Sequence, residues 1–209
     1  MSEPSLGESI SSAPESSTPG PPPRSATHSH KRRSTGRNVI EWVAVIVGAV
    51  IVALIVKTFL VQAFRIPSES MDPTLIKGDR VLVNKLSYRL HDVHRGDVVV
   101  FDRPKNLPGG PGDPQDLIKR VIGLPGDVLY ARDGVVYVND RPLKEPYLPD
   151  GTSSVNMDQP VTVPKGDVWV MGDNRGNSQD SRVFGPIPQE SIVGRAFLLM
   201  WPLNRLGSL

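Results

Sequence analysis

Apolar and polar positions divide the chain into three stretches. Residues 1–38 are polar and low in complexity, and residues 39–56 are almost continuously apolar. From about residue 79, short apolar runs alternate with turn residues. These patterns predict a disordered segment, one hydrophobic helix and a set of short strands, in that order.

The first stretch has the composition of a disordered tail. Ser, Thr, Pro and Gly fill 22 of its 38 positions, and its last part, HKRRSTGR at residues 30–37, is basic. Such a segment buries too little apolar surface to offset the entropy lost on ordering, so we expect residues 1–38 to be disordered.

The second stretch predicts a membrane anchor. Only Glu41 is charged within residues 39–56, and 18 helical residues span about 27 Å, close to the thickness of a bilayer's hydrocarbon core. The preceding basic cluster predicts a cytoplasmic N-terminus and an extracytoplasmic C-terminal part. A cleaved signal peptide is the alternative, but the region before the apolar stretch is very long for one.

The third stretch predicts a largely antiparallel β domain. Strand candidates lie at residues 80–83, 97–101, 117–122, 128–132, 135–138, 167–170 and 195–201. Asp133 and Gly134 form a two-residue hairpin signal between two of them. Residues 104–116 and 140–165 have loop composition. We therefore expect a tail at 1–38, an anchor and juxtamembrane segment at 39–64, and a β-rich domain at 65–209.

Composition limits the possible chemistry. The chain has no cysteine, which excludes disulfides, thiol nucleophiles and thiolate metal sites. The net charge of +2 is too small to indicate nucleic-acid binding. His91 and His94 have no third ligand at a zinc-like spacing, so we expect no metal and no cofactor.

Two residues offer nucleophilic chemistry near the membrane. Ser70 lies five residues after Arg65, at most about 17 Å along an extended chain from the expected membrane boundary. A serine needs a base, and a lysine serves if burial lowers its pKa from about 10.4. Lys119 shares a strand face with Leu117 and Val121. From the pattern alone, a polar turn and a surface lysine remain the alternatives.

Three segments resemble, in the same order, the signature motifs of bacterial type I signal peptidases. PSESMDPTL at residues 67–75 resembles their nucleophile motif, and IKRVIGLPGD at 118–127 resembles their general-base motif. GDNRGNSQDSRVFGP at 172–186 resembles their third motif. With shorter matches between them, the resemblance covers roughly residues 39–202.

The resemblance implies a membrane-bound serine endopeptidase that removes N-terminal signal peptides from exported preproteins. It implies an antiparallel, barrel-like β domain on one N-terminal transmembrane helix in the cell membrane, as in Gram-positive members with a single anchor. The implied partners are preprotein signal peptides, membrane lipid and the protein export machinery, without nucleic acid.

The resemblance also implies roles for individual residues. Ser70 is the nucleophile that forms an acyl-enzyme, and Lys119 is the general base that later protonates the leaving amine. The Ser70 N–H and the Ser68 hydroxyl form the oxyanion hole. Ser178 hydrogen-bonds and orients the Lys119 amine.

Further residues are expected to support the site or to contact substrate. Asp180 and Arg182 form an ion pair with Asp173 nearby, whereas Gly176, where many members have an acidic residue, has no assigned role. An extended substrate adds as a strand, and shallow apolar pockets select small residues at the first and third positions before the cut. The expected contributors to the pocket walls are Ile66, Pro67, Met71, Leu117 and Ile118.

Two other functions fit part of the pattern. A self-cleaving or regulatory Ser–Lys protease shares this chemistry, although the expected anchor argues against it. A membrane-tethered β scaffold without catalysis predicts that Ser70 and Lys119 each tolerate substitution by alanine.

Overall fold

The computed structural model describes residues 35–55, 60–154 and 157–209. The chain divides into two units, with the boundary between Val43 and Ala44. Most of the expected disordered tail, residues 1–34, lies outside the described residues. Its last four residues are helical, because α1 already begins at Thr35.

Helix α1, Thr35–Ile55, contains most of the expected anchor. Its apolar side chains are exposed, with Ile40 and Trp42 each 70% exposed. Across the residues that the structure describes, no helix combines the length and apolar character needed to cross a membrane. Residue 56, the last of the expected anchor, lies outside the described residues.

The rest of the described chain is mainly strand. The strands are β1 Val61–Arg65, β2 Arg80–Asn84, β3 Val98–Asp102, β4 Asp116–Gly123, β5 Val128–Arg132, β6 Val135–Val138, β7 Arg141–Pro142, β8 Met157–Thr162, β9 Asp167–Met171, β10 Ile187–Pro188, β11 Ile192–Trp201 and β12 Gly207–Ser208. The short helices are α2 Ser87–Leu90 and α3 Ser181–Phe184, with single 3-10 turns at Gln189–Ser191 and Leu203–Arg205.

The described strands form two antiparallel sheets, which confirms the expected mainly antiparallel β fold. The larger has the order β1-β2-β11-β3-β4-β9-β10, with β12 also paired to β11, and the smaller has the order β7-β6-β5-β8. The larger order is linear, so the barrel-like closure is not seen among the described strands. Strands β5 and β6 form the expected hairpin around Asp133 and Gly134.

Two strands lie in segments for which the sequence predicted none. Residues 61–64, assigned to the anchor and juxtamembrane segment, belong to β1, which pairs with β2 from Val61↔Asn84 to Arg65↔Arg80. Strand β8 lies in the expected loop at 140–165 and pairs with β5. Neither segment has a clear apolar alternation, so pairing with a neighbouring strand decides its structure.

The larger sheet is buried on both faces, which explains the unbroken apolar run in β3. Val98 and Val100 pack on one face with Ile66, Met71 and Leu75. Their neighbours Val99 and Phe101 pack on the other face, in a cluster with Val121, Val168 and Val170. The segment after β1 thus covers one face with its own apolar side chains.

A third apolar cluster joins the larger sheet to the smaller one. It includes Ile122, Leu129 and Trp169, all nearly fully buried. Gly123 permits this approach, because a Cβ there would lie 2.6 Å from Leu129 Cδ1 and 2.9 Å from Trp169 Cβ. This packing fixes β4 and β9 side by side, and the site lies beside these two strands.

Candidate active site

Ser70 lies on a turn that is anchored to the larger sheet from both ends. The N–H of Ile66 donates to the Asp79 carbonyl, and the N–H of Gly78 donates to the Ile66 carbonyl. Met71, the next residue after Ser70, is fully buried in the core. The turn therefore cannot shift without disrupting the core, and Ser70 itself is 8% exposed.

Lys119 lies in β4 with its amine against the Ser70 hydroxyl. Lys119 Nζ donates to Ser70 Oγ at 2.7 Å and to the Ile118 carbonyl at 2.9 Å. The side chain is 3% exposed. Leu117 and Val121 belong to one apolar cluster, as the strand alternation predicts.

Burial changes the acid–base behaviour of this amine. Loss of solvation lowers the pKa of Lys119 to about 8, although the carboxylates of Asp180 and Asp173 act in the opposite direction. An ordinary lysine is almost fully protonated at neutral pH, whereas a pKa near 8 leaves a useful neutral fraction. The contact therefore pairs a hydroxyl with an amine that can accept its proton.

The two other serines differ in their contacts. Ser68 Oγ lies 3.4 Å from Ser70 Oγ. The hydroxyl of Ser178 is buried and has no hydrogen-bond partner among the described residues, so the expected bond to Lys119 was wrong. Ser178 packs instead against Gly172, where an added Cβ would overlap its hydroxyl.

Asp180 and Arg182 form the expected ion pair at the start of α3. Arg182 Nη2 lies 2.7 Å from Asp180 Oδ2, and the N–H of Arg182 donates to Asp180 Oδ1. The same carboxylate accepts a hydrogen bond of 2.9 Å from the N–H of Gly172. The pair thus holds the backbone of Gly172, against which Ser178 packs, in place.

Asp173 is held by residues that the sequence analysis did not single out. Arg120 Nη2 and Nε donate to its carboxylate at 2.7 and 2.9 Å, and Thr74 Oγ1 donates at 2.5 Å. The Tyr147 ring stacks on the Arg120 guanidinium at 3.9 Å. A charged residue inside an apolar strand was the signal that could have pointed to Arg120.

Asn174 connects the third motif directly to the nucleophile turn. Its N–H donates to the Ser70 carbonyl at 3.1 Å, and its side-chain amide donates to the Glu69 carbonyl at 3.1 Å. Together with the Asp173–Thr74 bond, these contacts bring the first and third motifs together. All three motifs therefore meet at one site.

A cleft of about 300 Å³ opens at Ser70 and Lys119. Of the five expected pocket residues, only Leu117 lines it. Ile66, Met71 and Ile118 lie instead in the core beneath the nucleophile turn, and Pro67 is exposed outside this cleft. The remaining wall consists of Ser68, Glu69, Arg103, Leu107, Asp113, Pro114, Asn177 and Gln179. Four of these come from the connection between β3 and β4, for which no motif gave a signal.

Comparison with known proteins identifies the family. The family model described as signal peptidase, peptidase S26, matches residues 39–201. The chain belongs to this family. The match includes both members of the Ser70–Lys119 contact and the whole third motif.

Curated relatives agree with this signal peptidase assignment over most of their length. A signal peptidase I from Leptolyngbya laminosa is 40% identical over 204 residues, 96% of this chain and 97% of the relative. A signal peptidase IB from Staphylococcus aureus strain COL is 38% identical over 185 residues, 80% of this chain and 92% of the relative. The chain is thus a serine peptidase of the signal peptidase I type.

A solved structure is also similar to this signal peptidase. It is a signal peptidase I from Enterococcus faecalis V583, with 33% sequence identity and a TM-score of 0.39. The match covers 50% of this chain and 97% of the solved chain.

Proposed function

We propose that this chain removes N-terminal signal peptides from exported preproteins through a Ser70–Lys119 dyad at the membrane surface. The observation that carries the proposal is the 2.7 Å contact between Lys119 Nζ and Ser70 Oγ. Burial of this contact lowers the pKa of the amine to about 8, which supplies the base that the serine needs. Similarity to signal peptidases over nearly the whole chain supports the choice of substrate.

The proposed reaction proceeds through an ester. Neutral Lys119 takes the proton of Ser70 as Oγ attacks the carbonyl carbon of the scissile peptide bond. The resulting ammonium gives this proton to the leaving amine as the carbon–nitrogen bond breaks, which leaves an acyl-enzyme on Ser70. Lys119 then takes a proton from water, the water oxygen attacks the ester, and Ser70 recovers its proton.

The oxyanion that forms in each step needs hydrogen-bond donors positioned to stabilise its negative charge. We assign this role to the Ser70 N–H and to the Ser68 hydroxyl, which lies 3.4 Å from Ser70 Oγ. Asp173, Asp180 and Arg182 are positioning residues in this scheme. They hold the segment after β9 against the nucleophile turn and take no part in proton transfer.

The substrate is proposed to bind as an extended strand in the cleft beside Ser70 and Lys119. Leu117 lines the cleft and contributes apolar surface. The cleft has a limited volume of about 300 Å³, which suits small side chains next to the cut. Because Ile66, Met71 and Ile118 are almost fully buried, their effect on specificity comes from supporting the turn.

Membrane attachment through residues 39–56 completes the proposal. The exposed apolar side chains of α1, such as Trp42, support burial in lipid, and the basic residues at 30–37 support a cytoplasmic N-terminus. The β domain, which begins with β1 at Val61, then faces the extracytoplasmic side. Membrane lipid and the protein export machinery are the partners that this arrangement implies.

The test is cleavage of a preprotein by purified variants in detergent. Ser70→Ala and Lys119→Ala should each abolish cleavage while circular dichroism shows an unchanged β fold. Lys165→Ala, which changes an exposed lysine, is the matched control and should cleave normally. If both dyad variants still cleaved the preprotein, the assignment of Ser70 and Lys119 as the catalytic dyad would be refuted.

A further inference from the structure

The connection between β3 and β4, residues 103–115, forms part of the cleft, and we call it the cleft loop. Seven of its thirteen residues are proline or glycine, and it contains no helix or strand. Such a segment has no regular ladder of backbone hydrogen bonds, so its shape depends on other contacts. Four of its residues line the cleft, namely Arg103, Leu107, Asp113 and Pro114.

Arg103 supplies most of these contacts. Its N–H donates to the Gln115 carbonyl at 2.8 Å, which joins the two ends of the loop. In its guanidinium, Nε donates to the Pro114 carbonyl at 3.0 Å and Nη1 to the Pro108 carbonyl at 3.4 Å. Nη1 also lies 3.5 Å from Asp113 Oδ2, and the side chain is only 16% exposed. One planar cation with several donors therefore bonds both halves of the loop.

Two further contacts fasten the cleft loop to the domain. The side-chain amide of Asn106 donates to the Phe184 carbonyl at 2.8 Å. Leu107 packs in the apolar cluster that also contains Phe101 and Phe184. Leu107 is 7% exposed, about as accessible as Ser70 at 8%, and it lines the same cleft. A core side chain thus forms part of the cleft surface, and the loop determines where it lies.

The apolar surface of the cleft comes from three residues, Leu107, Pro114 and Leu117, which we call the apolar wall. All other residues of the lining are polar or charged. Leu117 belongs to β4, two residues before Lys119, so the sheet fixes it. The other two belong to the cleft loop. Because a packed apolar surface rejects side chains that exceed the space it leaves, the position of the loop sets the largest side chain that fits.

We propose that Arg103 is a positioning residue for substrate selectivity. By holding the cleft loop, it keeps Leu107 and Pro114 at a distance from the dyad that admits small side chains and excludes larger ones. Its guanidinium is bonded to oxygens of the loop and takes no part in proton transfer. The inference rests on the proposed function, because the cleft selects side chains only if a substrate enters it beside Ser70.

The experiment uses pairs of preprotein substrates that differ only by Ala or Leu at one position. The positions run from three residues before the cut to two residues after it. For the full-length wild-type enzyme in detergent, Leu at the position facing the apolar wall should lower kcat/KM about 100-fold relative to Ala. In Arg103→Met this penalty should shrink to about tenfold. Because the penalty is a ratio for one enzyme sample, a partly unfolded preparation does not alter it.

Two more variants test whether Arg103 acts through the apolar wall. Leu107→Ala shortens the wall directly and should relax selectivity at the same substrate position. The double variant should relax it no further than the stronger single variant, because both changes remove the same restriction. Arg141→Met is the matched control. It removes an exposed arginine on β7 that does not line the cleft, and it should keep the wild-type penalty.

Hydrogen exchange measures the order of the loop independently of cleavage. The Gly110 N–H donates to Asp113 Oδ2 at 2.9 Å, and the Asp113 N–H donates to the Gly110 carbonyl at 3.1 Å. In Arg103→Met both amides should exchange about tenfold faster. The Val121 N–H in β4, bonded to the Asp97 carbonyl at 2.8 Å, should keep its rate. Equal acceleration at Val121 would mean that the whole sheet loosens, which would overturn a local role for Arg103.

An unchanged Leu penalty at every substrate position in Arg103→Met would likewise overturn the inference. That result would leave the dyad untouched, because cleavage of the Ala substrates reports on Ser70 and Lys119. Failure of the wild-type enzyme to cleave the Ala substrates would instead count against the proposed function.

Discussion

Arg120 and Asp173 form a buried ion pair one residue along β4 from Lys119. Arg120 Nη2 lies 2.7 Å from Asp173 Oδ2, and the two side chains are 6% and 0% exposed. Thr74 donates to the same carboxylate, so this pair connects β4, the segment after β9 and the nucleophile turn. It thereby sets the distance between the proposed base and the proposed nucleophile.

Removing one member of this ion pair should destabilise the fold. Asp173→Ala leaves a buried, unpaired guanidinium and should lower the free energy of unfolding by about 3–5 kcal/mol in urea denaturation. Asp113→Ala is the matched control, because this carboxylate, which pairs with Arg103, is 49% exposed and its loss should cost below about 1 kcal/mol. Similar losses in the two variants would contradict a structural role for the buried pair.

The double change Arg120→Met with Asp173→Leu tests the same pair from the other direction. It removes both charges together, so it should be less destabilising than the sum of the two single changes. The measurement is a double-mutant cycle in urea. Additive losses would show that the two side chains act independently.

The lowered pKa of Lys119 predicts how activity depends on pH. The base must be neutral to accept the Ser70 proton, and the folded-state pKa is about 8. Values of kcat/KM should therefore rise about tenfold per pH unit below 8 and level off above it. The check is cleavage of a short substrate between pH 6 and 10, with a pH-insensitive detergent. A profile that falls with pH through this range would contradict a neutral-amine base.

The same pKa shift predicts a pH-dependent stability cost. The folded pKa of Lys119, about 8, lies below the unfolded value near 10.4, so the folded state binds the proton less tightly. The burial penalty is full below pH 8 and disappears as pH rises to 10.4. Lys119→Met should therefore raise the free energy of unfolding by up to about 3 kcal/mol at pH 7.

Urea denaturation of wild type and Lys119→Met at pH 7 and pH 10.5 checks this prediction. The advantage of the variant should shrink at the higher pH. A difference of the same size at both pH values would mean that packing, and not desolvation of the charge, causes it.

The sequence alone was sufficient for the local part of the site. Strand alternation placed Lys119 between two apolar neighbours, and the motifs selected Ser70 as its partner across 49 positions. Alternation also places Arg120 on the opposite strand face from Lys119, so nothing local indicated that it would meet Asp173. That pairing depends on β4 and β9 lying side by side, which is a property of the sheet.

The cleft at Ser70 and Lys119 shows why several residues expected in its wall lie elsewhere. Ile66, Met71 and Ile118 are apolar and close to the dyad in sequence, but an apolar side chain near a site can equally face the core. Here the turn needs them as anchors, and four residues of the cleft wall, Arg103, Leu107, Asp113 and Pro114, come from the connection between β3 and β4. Proximity in sequence does not distinguish the two orientations.

The close packing around Gly172 predicts that no side chain can be accommodated at this position. A Cβ at this position would overlap the Ser178 hydroxyl and the Ser70 carbonyl oxygen. Gly172→Ala should therefore displace the nucleophile turn and lower kcat by about 100-fold, since misplacement by about 1 Å has effects of this size. Gly176→Ala, in the same loop but in open space, should keep wild-type kcat. Equal rates for the two variants would show that the turn adjusts without loss.

Strand β1 predicts where the chain can be shortened. A chain that begins at Leu60 keeps the five-residue pairing of β1 with β2, whereas one that begins at Ile66 removes it and exposes β2 as the new edge of the sheet. The shorter chain should melt about 5 °C lower and aggregate sooner. Thermal unfolding by circular dichroism and light scattering measure the two effects. If both chains melted at the same temperature, β1 would contribute nothing to the peptidase domain, and the expected boundary at residue 65 would be the better one.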